Sequence, residues 1–412
     1  MTHPSLPPSS NPSRRHVLLA AAFGVYAMCA SGAQAFQDEG TVRIGSVESL
    51  TGVSSPYGIQ AINGMKLAID DINAAGGVTV GGKKVRLQLT PGPDGYDTGA
   101  DSALTIALLK KQILDDKVLA VVGPTSSQST EVGFNYLNQL VKEGNPIVLL
   151  SPASGGPNLG GISPWGFRNM FFEAQIIDRE LALVSKEFGY KKAAVFTVTD
   201  NAFTASMAKF VIRPGLEKHG LTVVAEGDSL SRDTDFSRQV QALQRAEPDV
   251  VFVSAPVQAT VGIMKEAARR GFKPKIWLGT VGSIAPEMPQ LGGTAVEGLV
   301  IGSSYLPSSE HVKGLTAAYQ KRTSSEINLF GVNGYEAAYL LKAGIEAAGI
   351  ENRPETLTED RRKLRDALTK VEIKSVTGEQ IKFDAKGDTV KQGYLLTVRD
   401  GQYVEWNRKP FR

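Results

Sequence analysis

Residues 42–77, VRIGSVESLTGVSSPYGIQAINGMKLAIDDINAAGG, decide the fold class. An apolar run at Val42–Gly45 leads into a turn rich in Ser, Thr and Gly. A helix follows, with apolar residues at Ile62, Met65, Ile69 and Ile72. That spacing places all four on one helix face. Gly76-Gly77 stand where a helix ends most easily in a positive-φ residue. A strand, a polar loop and a helix N-terminus in succession form the arrangement that binds small anions in α/β proteins.

Outward from that unit, strands and helices alternate to about residue 302. Short Val-, Ile- and Leu-rich runs at Leu119–Gly123, Pro146–Leu150, Ala193–Val198, Val250–Ser254 and Leu299–Gly302 read as strands buried on both faces. Helical patterns separate them, at Ala100–Leu114, Ser129–Glu143, Ala202–Lys218, Phe236–Arg245 and Thr260–Arg270. Thr234 is placed to cap the fourth of these, and Gly144, Gly220 and Gly271 to end their helices. Repeated βα units imply parallel sheets with right-handed crossovers. From Pro307 to Val371 the chain turns mainly helical (Glu310–Arg322, Tyr335–Ala348, Glu359–Val371). It closes on strand-like pieces at Gln380–Phe383, Gly393–Val398 and Gln402–Glu405.

The first 35 residues read as an export signal. Arg14-Arg15 precede an apolar run, Val17–Ala30, and small residues end at Ala33-Gln34-Ala35. The run is too short to span a bilayer as a stable helix. Ser13-Arg14-Arg15-His16-Val17-Leu18 suits either an ordinary secretory route or the twin-arginine route. The single cysteine, Cys29, lies inside the signal. Met28 and Tyr26 fit a lipidation signal poorly, so cleavage near Ala35 is expected to leave a cysteine-free chain that needs no disulfide. Its remaining 377 residues suit two domains. Without Arg14 and Arg15, 43 basic face 42 acidic residues, a net charge of +1. This gives no sign of a nucleic-acid surface or a polybasic membrane patch.

Several later segments occur together with the opening one: Val118–Thr130 (VLAVVGPTSSQST), Pro146–Ser154 (PIVLLSPAS), Phe167-Arg168, Thr234-Asp235-Phe236-Ser237, Pro248-Asp249-Val250-Val251, Val296-Glu297-Gly298 and Thr377–Gly387 (TGEQIKFDAKG). In this order and spacing, over nearly the whole exported chain, they resemble periplasmic solute-binding proteins of the branched-chain amino-acid type. The resemblance implies an α/β fold of two αβα Rossmann-like domains with parallel-rich sheets, joined by three crossover segments around a ligand cleft. It implies a first domain of 36–172 plus 304–392, and a second of 173–303 plus 393–412. It further implies a monomer in the periplasm that delivers a solute to the permease subunits of an ABC importer. The same fold also serves ligand sensors coupled to membrane receptors. No cofactor or metal is expected.

The loop Gly123–Thr130 follows an apolar strand and opens a helix, whose first N–H groups lack intrahelical partners. Hydroxyls of Ser126, Ser127 and Ser129 add donors at the positive end of the helix dipole, a place suited to a carboxylate. The same serines could instead only cap the helix. The resemblance assigns Ser127 to the ligand carboxylate, with Ala153 and Ser154 contributing beside it. Gly155 stands where amino-acid binders commonly carry Thr, so one hydroxyl is missing. Tyr57 is expected to pack on the ligand side chain. Phe203-Thr204 replace a usual Tyr-Gly, keeping an apolar face without a polar tip.

The segment Gly279-Thr280-Val281-Gly282-Ser283, where Thr280 is expected to line the site, lacks the acid that usually meets the ligand amine. Ala255-Pro256-Val257 replace expected aromatics. Either Glu173 or Asp200 supplies the partner, or the solute has no ammonium group, since an unpaired buried charge costs several kcal/mol. Enzyme readings find no support in motifs. After the signal only His219 and His311 remain as histidines, and no nucleophile elbow, P-loop or dinucleotide fingerprint follows a strand. His219 precedes Gly220 at an expected helix C-terminus, where a cation is favourable.

Overall fold

The computed structural model describes residues 40–407. The export signal, with Arg14, Arg15, Cys29 and the expected cleavage site at Ala35, lies outside the described residues. In chain order, β1 (Val42–Glu48) leads through α1 (Ser55–Ala74), a hairpin of β2 (Val78–Val80) and β3 (Lys83–Val85), β4 (Leu87–Thr90) and β5 (Tyr96–Asp97). Then come α2 (Ser102–Leu114), β6 (Ala120–Val122), α3 (Ser127–Lys142), β7 (Val148–Ser151) and β8 (Gly166–Arg168). These strands lie parallel in the order β4-β1-β6-β7-β8, with β5 against the end of β1.

The chain then crosses to a second sheet. It runs through α4 (Glu173–Ala182), β9 (Lys192–Val198), α5 (Ala202–Met207), α6 (Arg213–Lys218), β10 (Thr222–Ser229), α7 (Ser237–Ala246), β11 (Val250–Ser254), α8 (Val257–Arg269), β12 (Ile276–Gly279), α9 (Met288–Gly292) and β13 (Leu299–Ser303). Next, α10 (Lys313–Thr323), α11 (Leu329–Ala348), α12 (Leu357–Leu368) and a hairpin of β14 (Glu372–Lys374) and β15 (Gln380–Lys382) return toward the first sheet. The chain ends in β16 (Tyr394–Arg399) and β17 (Gln402–Glu405), which extend the second sheet antiparallel. That sheet has the order β10-β9-β11-β12-β13-β16-β17. Two parallel-rich αβα layers with three crossings between them match the expected architecture.

Ile62, Met65, Ile69 and Ile72 of α1 are all buried, each such burial being worth roughly 1.5–3 kcal/mol. The backbones of α1 and α11 touch. A Cβ on Gly64 would lie 1.9 Å from the Gly331 carbonyl oxygen, and one on Gly334 would lie 2.0 Å from that of Ala61. Side chains at these positions would force the helices apart.

Some local expectations change. Helix α3 begins at Ser127, two residues early, and α11 begins at Leu329 because Asn328 caps it through the Phe330 N–H at 2.9 Å. Thr234 does not cap α7. Asp235, one residue nearer the helix, accepts from the Ser237 N–H at 2.9 Å instead, and the N-cap residue Phe236 makes no capping bond. The expected helix Ala202–Lys218 carries a π turn at Ala208–Ile212. Edge strands β4 and β10 and the short β5 escaped the apolar pattern, because edges keep polar, exposed residues.

Candidate ligand-binding site

In each sheet the strand order reverses direction at one place. Between β1 and β6, and again between β9 and β11, one connection runs outward on either side. Doubly wound sheets bind ligands beyond the carboxyl ends of the strands at such a switch point. Here the two switch points face each other across one cavity of about 300 Å³. Most of its walls come from the loops and first helical turns that follow strands. Tyr57 follows β1, Ser126 and Ser127 follow β6, and Ala153 and Gly155 follow β7. From the second sheet, Asp200 and Phe203 follow β9, Pro256 follows β11, and Val281 and Gly282 follow β12.

One end of the cavity is polar. Ser126 is the N-cap residue of α3, yet its hydroxyl makes no capping bond. The Ser127 Oγ accepts the Gly156 N–H at 3.2 Å and the Ser154 hydroxyl at 3.3 Å, which fixes its position and leaves its own O–H to donate. With the free amides of the first turn of α3, these groups form an anion cradle made of neutral donors. Among the described residues, no Lys or Arg lines the cavity. The Ser129 hydroxyl, expected beside them, is fully buried and belongs to the helix's inner face.

Loop 124–127 is held from behind by Glu48, at the end of β1. Its Oε2 accepts the Thr125 N–H at 2.9 Å and the Thr125 hydroxyl at 2.7 Å. Segment 154–156 is held by Arg168, whose Nη1 donates to the Ser154 and Gly156 carbonyls at 3.1 and 2.6 Å. The other arms of Arg168 make a bidentate pair with Asp388, at 2.6 and 2.7 Å. No local sequence pattern marks Glu48 or gives Arg168 a role; each acts through partners distant in sequence or buried beneath the loops.

The other end is apolar and aromatic. The rings of Tyr57 and Phe330 lie 4.9 Å apart, and the Tyr57 hydroxyl donates to the Gly282 carbonyl at 2.5 Å, joining the two sheets' loops across the cavity. The half-buried Phe203 completes this end.

Of the residues expected to line the site, Tyr57, Ser126, Ser127, Ala153, Gly155 and Phe203 do so, and Asp200 lies at the rim. Ser154, Glu173 and Thr280 stand behind the cavity surface. Ser154 is fully buried, its N–H held by the Ser151 Oγ at 3.1 Å and its hydroxyl directed to Ser127. Thr280 is fully buried beneath the turn it begins. Glu173 points to the rear of that turn, its Oε1 accepting the Val281 N–H at 2.5 Å. Asp200 is exposed and bound to the Ser231 N–H and hydroxyl at 2.7 and 2.8 Å. Thus, among the described residues, no buried acid faces the cavity. His219 has a structural partner, its Nε2 lying 2.8 Å from Asp178.

Burial pushes the carboxyls of Glu48 and Glu173 up to about 8, against bonds from Thr125 and Val281 that pull the other way. Unfolded, both ionise near 4.5, so across that interval the folded chain holds protons the unfolded chain has lost. Stability should therefore be greatest below this window and fall as pH rises through it. Asp249 and Glu266, lowered to about 2, act only in stronger acid. We expect Tm to decline from about pH 5 to about pH 8, with Glu173→Gln flattening part of the decline. A level Tm across that range would refute the neutral state of these carboxyls.

A family model described as periplasmic binding protein matches residues 41–402. The chain is 24% identical over 399 residues to the leucine-, isoleucine-, valine-, threonine- and alanine-binding protein of Pseudomonas aeruginosa, covering 95% of this chain and 94% of that protein. Its fold is similar to that of a leucine-binding protein from Thermotoga maritima, with TM-score 0.74, 24% identity, and 89% and 98% of the two chains covered. It is equally similar to a solute-binding protein of an ABC transporter from R. palustris in complex with 4-hydroxybenzoate, with TM-score 0.74, 21% identity, and 90% and 97% covered.

Proposed function

Because the chain belongs to the periplasmic binding protein family, we propose that it is an exported solute receptor. It captures a small carboxylate between its two lobes and presents it to the permease subunits of an ABC importer. The observation that carries this reading is the neutral donor cradle at the N-terminus of α3, opposite an aromatic wall, at the facing switch points of two sheets. The solute is bound and released without covalent change, and ATP is spent by the importer. No helix among the described residues is long and apolar enough to cross a membrane.

The lobes, first domain 36–172 plus 304–392 and second domain 173–303 plus 393–412, close by a hinge whose population shifts on binding. A buried cluster ties two of the crossings to α11. Lys391 Nζ donates to Asn333 Oδ1 at 2.8 Å and pairs with Glu336, while the Asn169 Nδ2 donates to the Asn333 carbonyl at 2.9 Å. Such a cluster gives the lobes a defined axis. The Tyr57–Gly282 bond is a contact of the closed form.

An amino acid is the first solute class, as the relatives' names indicate. In that case its ammonium group faces Asp200 at the rim. The lack of a buried acid on the cavity surface favours a second class, amine-free organic acids, and some proteins of this fold bind benzoates. A thermal-shift screen of refolded protein from Phe36, pairing leucine with isocaproate and adding benzoate, tests both. A bound solute raises Tm by mass action. Stabilisation by leucine alone supports the amino-acid class, and stabilisation by the amine-free acids alone supports the second. No response to any of the three would sink the carboxylate reading.

A further inference from the structure

Gly155 borders two spaces. One is the ligand cavity. The other is a rear chamber of about 50 Å³, walled by Gly155, Gly156, Arg168, Glu173, Met207 and Asp388 among others. It has room for a few waters. Arg168 and Asp388 are paired with each other there, whereas Glu173 holds the Val281 N–H with one oxygen and leaves the other, Oε2, without a partner.

Phe203 lines only the ligand cavity and packs against Gly155, which borders both spaces. A Cβ on Gly155 would lie 2.9 Å from its Cε2, and a Cβ on Gly282 would lie 3.1 Å from its Cε1. Those atoms are opposite edges of one ring. The ring therefore spans the gap from segment 153–156 of the first lobe to turn 281–283 of the second. Met207, one helical turn after Phe203, faces the chamber behind it. The absent side chain at Gly155 and the large ring at Phe203 are thus one arrangement. A threonine at residue 155 would occupy the space the ring needs.

We propose that Phe203 is the specificity-determining residue of this site. Its ring closes the ligand cavity off from the rear chamber and restricts the solute to compact carboxylic acids. This rests on the carboxylate reading above. Glu173 then acts as a positioning residue, holding Val281 and so the floor against which the solute packs.

The test is calorimetric titration of isocaproate and octanoate into the wild type and Phe203→Ala. The wild type should prefer isocaproate. Phe203→Ala, with the chambers joined, should shift the affinity ratio toward octanoate by about tenfold or more, the scale on which pockets discriminate chain length. Gly155→Thr should weaken both acids in the wild-type background and be tolerated beside Phe203→Ala. Its single-variant effect persisting in the double variant would contradict the pairing. An unchanged ratio, with both acids weakened alike, would reduce Phe203 to ordinary packing and overturn the partition while leaving the carboxylate reading intact. If neither acid bound either protein, the partition would fall, while the leucine arm of the thermal-shift screen would decide the carboxylate reading on its own.

Discussion

Arg168→Met should cost about 3–5 kcal/mol of folding stability, the range for breaking a buried ion pair by removing one partner. Arg168 is 6% exposed and Asp388 3%, so the remaining carboxylate would be left without a counter-charge and shut off from bulk water. A domain of this kind has roughly 5–15 kcal/mol in total, making the loss a large share. Two carbonyls, those of Ser154 and Gly156, would also lose their donor. They belong to the segment that holds the Ser127 hydroxyl in place, so solute affinity should fall with stability. The double variant Arg168→Met/Asp388→Leu should recover much of the stability, because a buried pair can be replaced by apolar groups at little net cost, without recovering the affinity. Urea unfolding of the single and double variants measures the first effect, and titration the second. A single-variant loss below about 1 kcal/mol would mean that water reaches the pair.

Ser127→Ala should weaken solute binding by about 1–3 kcal/mol, the cost of leaving a buried acceptor without its donor. In dissociation constant that is about five- to 150-fold. The effect on the empty protein should be smaller, since Ser127 contributes there only two long bonds, at 3.2 and 3.3 Å. Large loss of affinity with modest loss of Tm is the expected pattern. Affinity equal to wild type would remove Ser127 from the site, and a collapse of Tm would make it a packing residue.

The contrast between Ser127 and Arg168 reflects what a sequence exposes. Ser127 sits in a local signal, an apolar strand followed at once by a hydroxyl-rich helix start. Ten residues mark it as a candidate donor beside a helix start, and the family resemblance, not the local signal, assigns it to the ligand. The partner of Arg168 lies 220 residues away, and no periodicity connects them. Central strands such as Val250–Ser254 were legible because burial on both faces leaves a continuous apolar run. Strand β10 was not, because its edge position leaves Thr222 and Val223 exposed. Glu173 shows a third kind of difficulty. An acid at a crossing between lobes is visible in the sequence, but whether its carboxyl faces the cavity or the rear of a turn is set by helix orientation, which only the packing of α4 decides. Gly155 and Phe203 looked like two unrelated departures from the family pattern. Their dependence on each other is a matter of space, not of sequence distance.

The neutral cradle has an environmental consequence. A site that gripped its anion with lysine or arginine at the surface would weaken as ionic strength rose, because mobile ions screen such attraction within about 10 Å at moderate salt. Hydroxyls and helix amides enclosed between closed lobes act over bond lengths and are screened far less. A receptor built this way would sense the concentration of its solute and largely ignore the salinity of the medium around it. That separation suits a compartment whose ionic composition follows the outside world.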